Sequence, residues 1–259
     1  MSASRAWDRA GSLPVPTSPD DLPEIVALRD ELPSVDDLFT FMRDAELRFR
    51  TLRMRIEERT ATTRGEELAV VEVTIEHPGK VKVITSWPEQ GLGAYELWLS
   101  DGETVRTYVA SRRTGTRRPM RPAIRGTDGD DLPGSARVYR ALTPLQMESL
   151  PELFVHPAGY AQNVLATGSC RVTGTTEVAG REAVVLESDH PRAVEVVADR
   201  PDFSIRIAVD RLDGVILRLE ESMGGRVTRD ALVTTYQPNG PSVSSAFEFT
   251  FPSDTTFIY

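Results

Sequence analysis

The chain has little of what most catalytic chemistry needs. Of its 259 residues, one is cysteine (Cys170) and three are histidine. A lone thiol excludes an intramolecular disulfide and leaves no basis for a cysteine-built zinc site. It fits a reducing compartment. Basic residues are outnumbered, 30 Lys and Arg against 39 Asp and Glu, and the net charge of −9 excludes a general nucleic-acid binder, which needs a basic face. No stretch approaches the roughly 18 consecutive apolar residues of a membrane span. The opening residues show no apolar leader core with a small-residue cleavage site. A cytoplasmic protein is therefore expected if Met1 is the natural start, and a periplasmic or other extracytoplasmic one if a signal peptide has been removed. No His-Glu-x-x-His, Gly-x-Ser-x-Gly or Gly-x-x-x-x-Gly-Lys motif occurs. No enzyme, cofactor or metal site is expected.

What is present is strand patterning. Asp101-Gly102 sits between the alternating runs Tyr95–Ser100 and Glu103–Tyr108. Glycine accepts the positive φ of a tight hairpin turn, so this is a strong hairpin signal. A second such frame is Val172–Val178, Ala179-Gly180 and Arg181–Glu187. Leu52, Met54 and Ile56 alternate with Arg53, Arg55 and Glu57, and Val71, Val73 and Ile75 with Glu72, Thr74 and Glu76. His77-Pro78-Gly79-Lys80 reads as a turn, and Asp213-Gly214 and Gly224-Gly225 as others. Strands are predicted at about 170–175, 181–188, 203–210, 215–222, 226–237 and 246–251. The total is about ten or eleven, each apolar on one side, as expected of a mainly β, antiparallel sheet with one covered face.

Residues 1–33 read as a charged, proline-rich lead-in, and 34–259 as one domain. Ser34 is placed to cap a helix over Val35–Leu47. Helical spacing returns from Thr143 to Leu165, cut into short pieces by Pro151 and Pro157. The stretch 111–140 reads as loop, with Arg112, Arg113, Arg117, Arg118, Arg121 and Arg125 followed by the acidic Asp128, Asp130 and Asp131. The acidic run lacks the spacing of a calcium loop and is expected to be solvated. His77, His156 and His190 each precede proline, which favours extended or turn backbone, so exposed turn histidines are expected. Cys170 is expected to be a buried small hydrophobe.

The order of these pieces resembles the LolA-like and RseB-like superfamily of periplasmic lipoprotein carriers and lipid-binding relatives. The matching pieces are the helix at 35–47, the hairpin ending in His77-Pro78-Gly79-Lys80-Val81, and Ser100-Asp101-Gly102 followed by Tyr108. Val178-Ala179-Gly180-Arg181-Glu182-Ala183 and Val209-Asp210-Arg211-Leu212-Asp213-Gly214-Val215 complete the set. The resemblance implies a half-barrel: an open, strongly curved antiparallel sheet with helices covering its concave face. Family members are exported, and this chain shows no export signal.

The resemblance further implies a non-enzymatic binding protein that shelters a hydrophobic small molecule, an acyl chain or a lipidated peptide or protein between sheet and helices. The alternative is a regulatory protein–protein interaction module with no lipid ligand. Trp98, Leu145, Met147, Leu150, Leu153, Phe154, Ile207 and Phe249 are the candidate cavity lining. Which of the alternating faces is concave, that of Trp98 or that of Leu97, stays open. Arg112, Arg113, Arg117 and Arg118 are candidates for contact with an anionic partner, since guanidinium groups suit carboxylate and phosphate.

Overall fold

The computed structural model describes residues 27–29, 31–91, 93–120, 124–125, 139–191, 202–241 and 244–258. Ser34 is extended, and its Oγ accepts the backbone N–H of Asp37 at 3.1 Å, which starts α1 (Val35–Arg43). Leu38, Phe41 and Met42 form its buried stripe. The helix stops short of Leu47. Asp44 leaves helical geometry at φ −97°, ψ 16°, and a 3-10 turn, Ala45–Arg48, carries the chain into the sheet. The lead-in is partly tied down: the Arg211 guanidinium donates to the carbonyls of Arg29 and Glu31.

Six strands then follow as hairpins: β1 (Thr51–Thr62), β2 (Gly65–Glu76), β3 (Lys80–Ser86), β4 (Tyr95–Asp101), β5 (Thr104–Val109) and β6 (Thr114–Pro119). A small pair, β7 (Ile124–Arg125) and β8 (Tyr139–Arg140), precedes α2 (Leu150–Val155) and α3 (Ala158–Asn163). A second run comprises β9 (Ser169–Val178), β10 (Arg181–Asp189), β11 (Phe203–Asp210), β12 (Ile216–Met223) and β13 (Arg226–Pro238), and β14 (Thr256–Phe257) ends the chain. The 12-stranded sheet has the order β14-β6-β5-β4-β3-β2-β1-β13-β12-β11-β10-β9. It is open and curved, consistent with a half-barrel. Pairing is antiparallel throughout, except for β14 on β6.

Turn chemistry explains the hairpins. Asp101 Oδ1 accepts the N–H groups of Glu103 and Thr104 at 3.0 and 2.8 Å, and Gly102 takes φ +98°. At the neighbouring turn Gly79 has φ +82°, and a Cβ there would sit 3.1 Å from Gly102 Cα, so two turns close on each other through paired glycines.

Period-two patterning sorts side chains between two faces. Leu52, Met54, Ile56, Val71, Val73, Val83 and Trp98 join Leu38, Met42, Leu150, Phe154 and Val155 in the main core. The helices therefore cover the face that carries Trp98. Leu97, Leu99 and Tyr108 lie on the opposite face and form a smaller cluster with Phe249 and Phe251.

Three sequence expectations need correction. Residues 114–119, read as loop, form β6, because Thr114–Pro119 pair with Val109–Thr104. The remainder of 111–140, including Asp128, Asp130, Asp131 and Arg121, lies largely outside the described residues. Residues 246–251 are not a strand. Ser244–Phe247 is a 3-10 turn, and the alternating Phe249 and Phe251 lie on Tyr108 at ring-centroid distances of 5.6 and 6.2 Å. Finally, the sheet contains more strands than predicted, the additions being β6 and the short β14. Among the described residues no helix is long and apolar enough to cross a membrane.

Candidate functional site

Cross-strand register assembles a cavity on the helix-covered face. Ile56 pairs with Val71 and Val71 with Thr85, while Val73 pairs with Val83 and Val83 with Trp98. Of these, Val71, Val83 and Trp98 present an apolar floor across β2 to β4, with Thr85 at its polar side. The segment entering α2 closes it from above. Ser149 caps that helix, its Oγ accepting the N–H of Glu152, and Pro151 occupies the first turn, where its missing N–H costs nothing. The recess holds about 170 Å³ and is lined by Val71, Val83, Trp98, Leu150 and Pro151, with Glu58, Thr85, Gln146 and Ser149 as its polar members.

The polar side of the cavity continues into an ionic cluster. Glu58 Oε1 accepts Arg229 Nε at 2.6 Å, and Glu221 Oε1 accepts Arg229 Nη1 at 3.2 Å. Nearby on α3, the Tyr160 hydroxyl is buried with no hydrogen-bond partner among the described residues. Burial, then the Glu221 charge, pushes its phenol upward.

The candidate residues divide. Trp98 and Leu150 line the cavity. Leu145 (3% exposed), Phe154 (0%) on the buried face of α2, and Ile207 (1%) on the sheet are core residues, and Leu153 packs against that core partly buried. Met147 is 69% exposed and points away from the core. Phe249 belongs to the cluster on the opposite face, because its segment crosses the sheet on the outside instead of joining it. The arginines do not converge either. Arg118 pairs with Val105 and Arg117 with Arg106, neighbours that occupy opposite faces of β5. Arg113 is engaged by Asp254 at 2.8 Å, and Arg112 is exposed in the turn before β6.

The histidines depart furthest from expectation. His190 is exposed, but His77 and His156 meet inside the molecule around Thr143, which is fully buried. Thr143 Oγ1 lies 2.7 Å from His77 Nδ1 and accepts the N–H of Gly79 at 2.9 Å. His156 Nε2 lies 3.1 Å from the Thr143 carbonyl, and its Nδ1 lies 3.1 Å from Glu46 Oε2. Glu46 also accepts the N–H of Leu142 at 3.0 Å. With Gly79 supplying a donor to Thr143, the threonine proton is free for His77 Nδ1. That leaves the ring proton on Nε2, which has no partner. Burial pulls His77 down to about 4, against a raising effect of Glu46. The network ties the turn after α1, the β2–β3 turn and the approach to α2 to one point. Cys170 is half-buried, with its thiol on the Leu165 carbonyl at 2.9 Å and pushed upward by burial.

Sequence reasoning missed Glu58, Thr85, Glu221, Arg229 and the Glu46–His156–Thr143–His77 network. Glu58 follows Ile56 in the same alternation as Leu52 and Met54, so a carboxylate on the apolar face was there to be read. Arg229 and Thr143 carry no local signal.

No protein-family model matches the chain. No curated protein matches it either. Among solved structures it is similar to the Pseudomonas aeruginosa MucA/MucB complex, at 16% identity and a TM-score of 0.47, over 83% of this chain and 61% of that one. It is similar to the Mycobacterium tuberculosis lipoprotein LppX at 11% identity and a TM-score of 0.39, over 81% and 98%. A LolA superfamily protein from Nitrosomonas europaea matches at 10% identity and a TM-score of 0.31, over 84% and 98%. The chain thus spans about three fifths of the MucB chain it matches. The LolA-like likeness read from the sequence order is found again among solved structures.

Proposed function

We propose that this is a non-enzymatic binding protein that takes an apolar part of its ligand, an acyl chain or the greasy portion of a lipidated peptide, between the helix-covered sheet face and the segment 144–155. The cavity between Trp98 and Leu150 carries this reading. A recess of about 170 Å³ opens where the proline-broken segment meets the apolar sheet face. That volume is near the ~150 Å³ of an apolar cavity that admits benzene, and below the ~300–1,000 Å³ of typical ligand pockets. It accepts a short group as it stands. A chain of about ten carbons enters when the 144–155 segment moves aside.

The test is uptake. Native mass spectrometry of the purified protein should show a co-purified apolar ligand, or a fluorescent acyl probe should bind saturably. Leu150→Trp fills the cavity from the cap side without introducing a buried charge, and should abolish uptake while leaving far-UV circular dichroism unchanged. Absence of any acyl binding by the unaltered protein sinks this reading. It leaves the partner-binding alternative, for which the outer edge of β9 is the favoured surface: no strand pairs with it among the described residues, and an extended segment can add there.

A further inference from the structure

We infer that the cavity receives the side chain of a lysine from a peptide ligand, its methylene stem on the apolar floor and its ammonium at the rim. This rests on the cavity being a ligand site. It chooses between the two ligand classes above, favouring a peptide with a basic residue over a free fatty acid.

Charge carries the choice. Glu58 lines the cavity itself. Arg229, the guanidinium in contact with it, is already shared between Glu58 and Glu221 at 2.6 and 3.2 Å, so its charge is spent on two carboxylates. Glu96 pairs with Thr85 across β3 and β4, which puts a third carboxylate on the same face beside a lining residue. Among the described residues the rim is net negative. Arg118 shares this face, but it pairs with Val105, two residues along β5 from the Thr107 that pairs with Trp98, and it lies two strands out from Trp98 on the side away from Glu58. That places its backbone roughly 12 Å from that of Trp98, beyond a Debye length of about 8–10 Å.

Shape and chemistry agree with charge. The Trp98 ring forms part of the wall, and an indole face attracts a cation within about 6 Å. Gln146, Thr85 and Ser149 supply oxygen acceptors around the mouth. A recess of about 170 Å³, open at its mouth, suits a four-methylene stem. A fatty-acid carboxylate brings a negative charge to a negative rim. An ethanolamine-headed lipid carries a phosphate two carbons from its ammonium and meets the same repulsion.

The full chain is titrated with three probes by calorimetry or ligand-observed NMR: Nα-acetyl-lysine methylamide, the norleucine analogue with the same stem and no charge, and hexanoate. The lysine compound should bind about tenfold more tightly than the norleucine compound, as expected for one charge-assisted contact, with hexanoate weakest. Glu58→Gln should bring lysine binding down to the norleucine level. Since this change also releases Arg229, its fold is checked by thermal melt, and Trp98→Leu serves as an independent variant that should lower the ratio of lysine to norleucine affinity. Equal binding of lysine and norleucine compounds, or tighter binding of hexanoate, overturns the inference and leaves the apolar cavity standing. If none of the three binds saturably, the cavity reading falls with it. A lysine preference untouched by both substitutions places the cation elsewhere and also overturns the inference.

Discussion

His77 shows how much a single side chain's meaning depends on partners the local sequence does not reveal. Its neighbour Pro78 marks a turn, and a turn histidine is ordinarily wet. Here the turn is folded under the 141–145 segment, so the ring stacks on Phe49 at 5.1 Å and bonds Thr143. The consequence is a pH dependence with a definite sign. Burial, set against Glu46 and reinforced by His156, pulls His77 to about 4 from an ordinary 6.5. The folded protein therefore holds this ring neutral while the unfolded chain takes up a proton below 6.5. Stability is full above about pH 6.5 and is lost as the pH falls toward 4, by at most about 3 kcal/mol. Urea midpoints at pH 7, 5.5 and 4.5 should show this loss. His77→Asn keeps a hydrogen-bond acceptor for Thr143 but cannot titrate, so its midpoint should fall less over the same range. An identical pH slope in the variant would assign the loss to other groups.

At the level of elements, legibility tracks how local the cause is. The Asp101-Gly102 hairpin and the Ser34 cap were readable because a turn residue and its partner lie within three positions. The 3-10 break at Asp44 and the strand β6 were not, because each is settled by what lies across from it. The C-terminal segment is the clearest case. Phe247-Glu248-Phe249-Thr250-Phe251 alternates like a strand but pairs with none among the described residues. Its rings instead cover the outer cluster of Leu97, Leu99 and Tyr108, with Phe251 stacked edge-on against Phe249 and Phe257 at 5.1 and 4.9 Å. Gly115 makes room: a Cβ there would lie 2.6 Å from the Phe251 ring. Gly115→Ala should thus dislodge the segment, and Phe251→Ala should cost about 2 kcal/mol through lost burial. In both, amide exchange at Thr256 and Ile258, which bond Arg113 and Gly115 carbonyls, should accelerate. Unchanged protection at those amides in Gly115→Ala would show that the ring yields without moving the segment.

The whole molecule is two antiparallel meanders, β1–β6 and β9–β13, joined along a single seam where β1 pairs with β13. Each meander was legible as a succession of hairpins. The seam was not, since Ile56 and Val233 meet from opposite ends of the chain and any amphipathic strand offers a similar face. The candidate site inherits the same limit: its floor belongs to one meander, and the Arg229–Glu221 cluster to the other. The core nevertheless runs across the seam without a break, from Trp98 and Val83 through Ile56 and Val233 to Leu219 and Ile207. Neither meander buries its inner face alone, because α2, which lies between them in sequence, packs on β12 of one and over Trp98 and Val83 of the other. One cooperative unit should follow, although chains beyond about 150 residues often unfold through intermediates. Tryptophan fluorescence, whose reporters among the described residues, Trp87 and the buried Trp98, lie in the first meander, and far-UV circular dichroism, which reads both, should give coincident urea transitions. Ile56→Ala at the seam should lower the two midpoints together, at a cost of about 2–5 kcal/mol for a fully buried side chain. Separated transitions, or a shift in the fluorescence midpoint alone, would show two independently stable halves and refute the single unit.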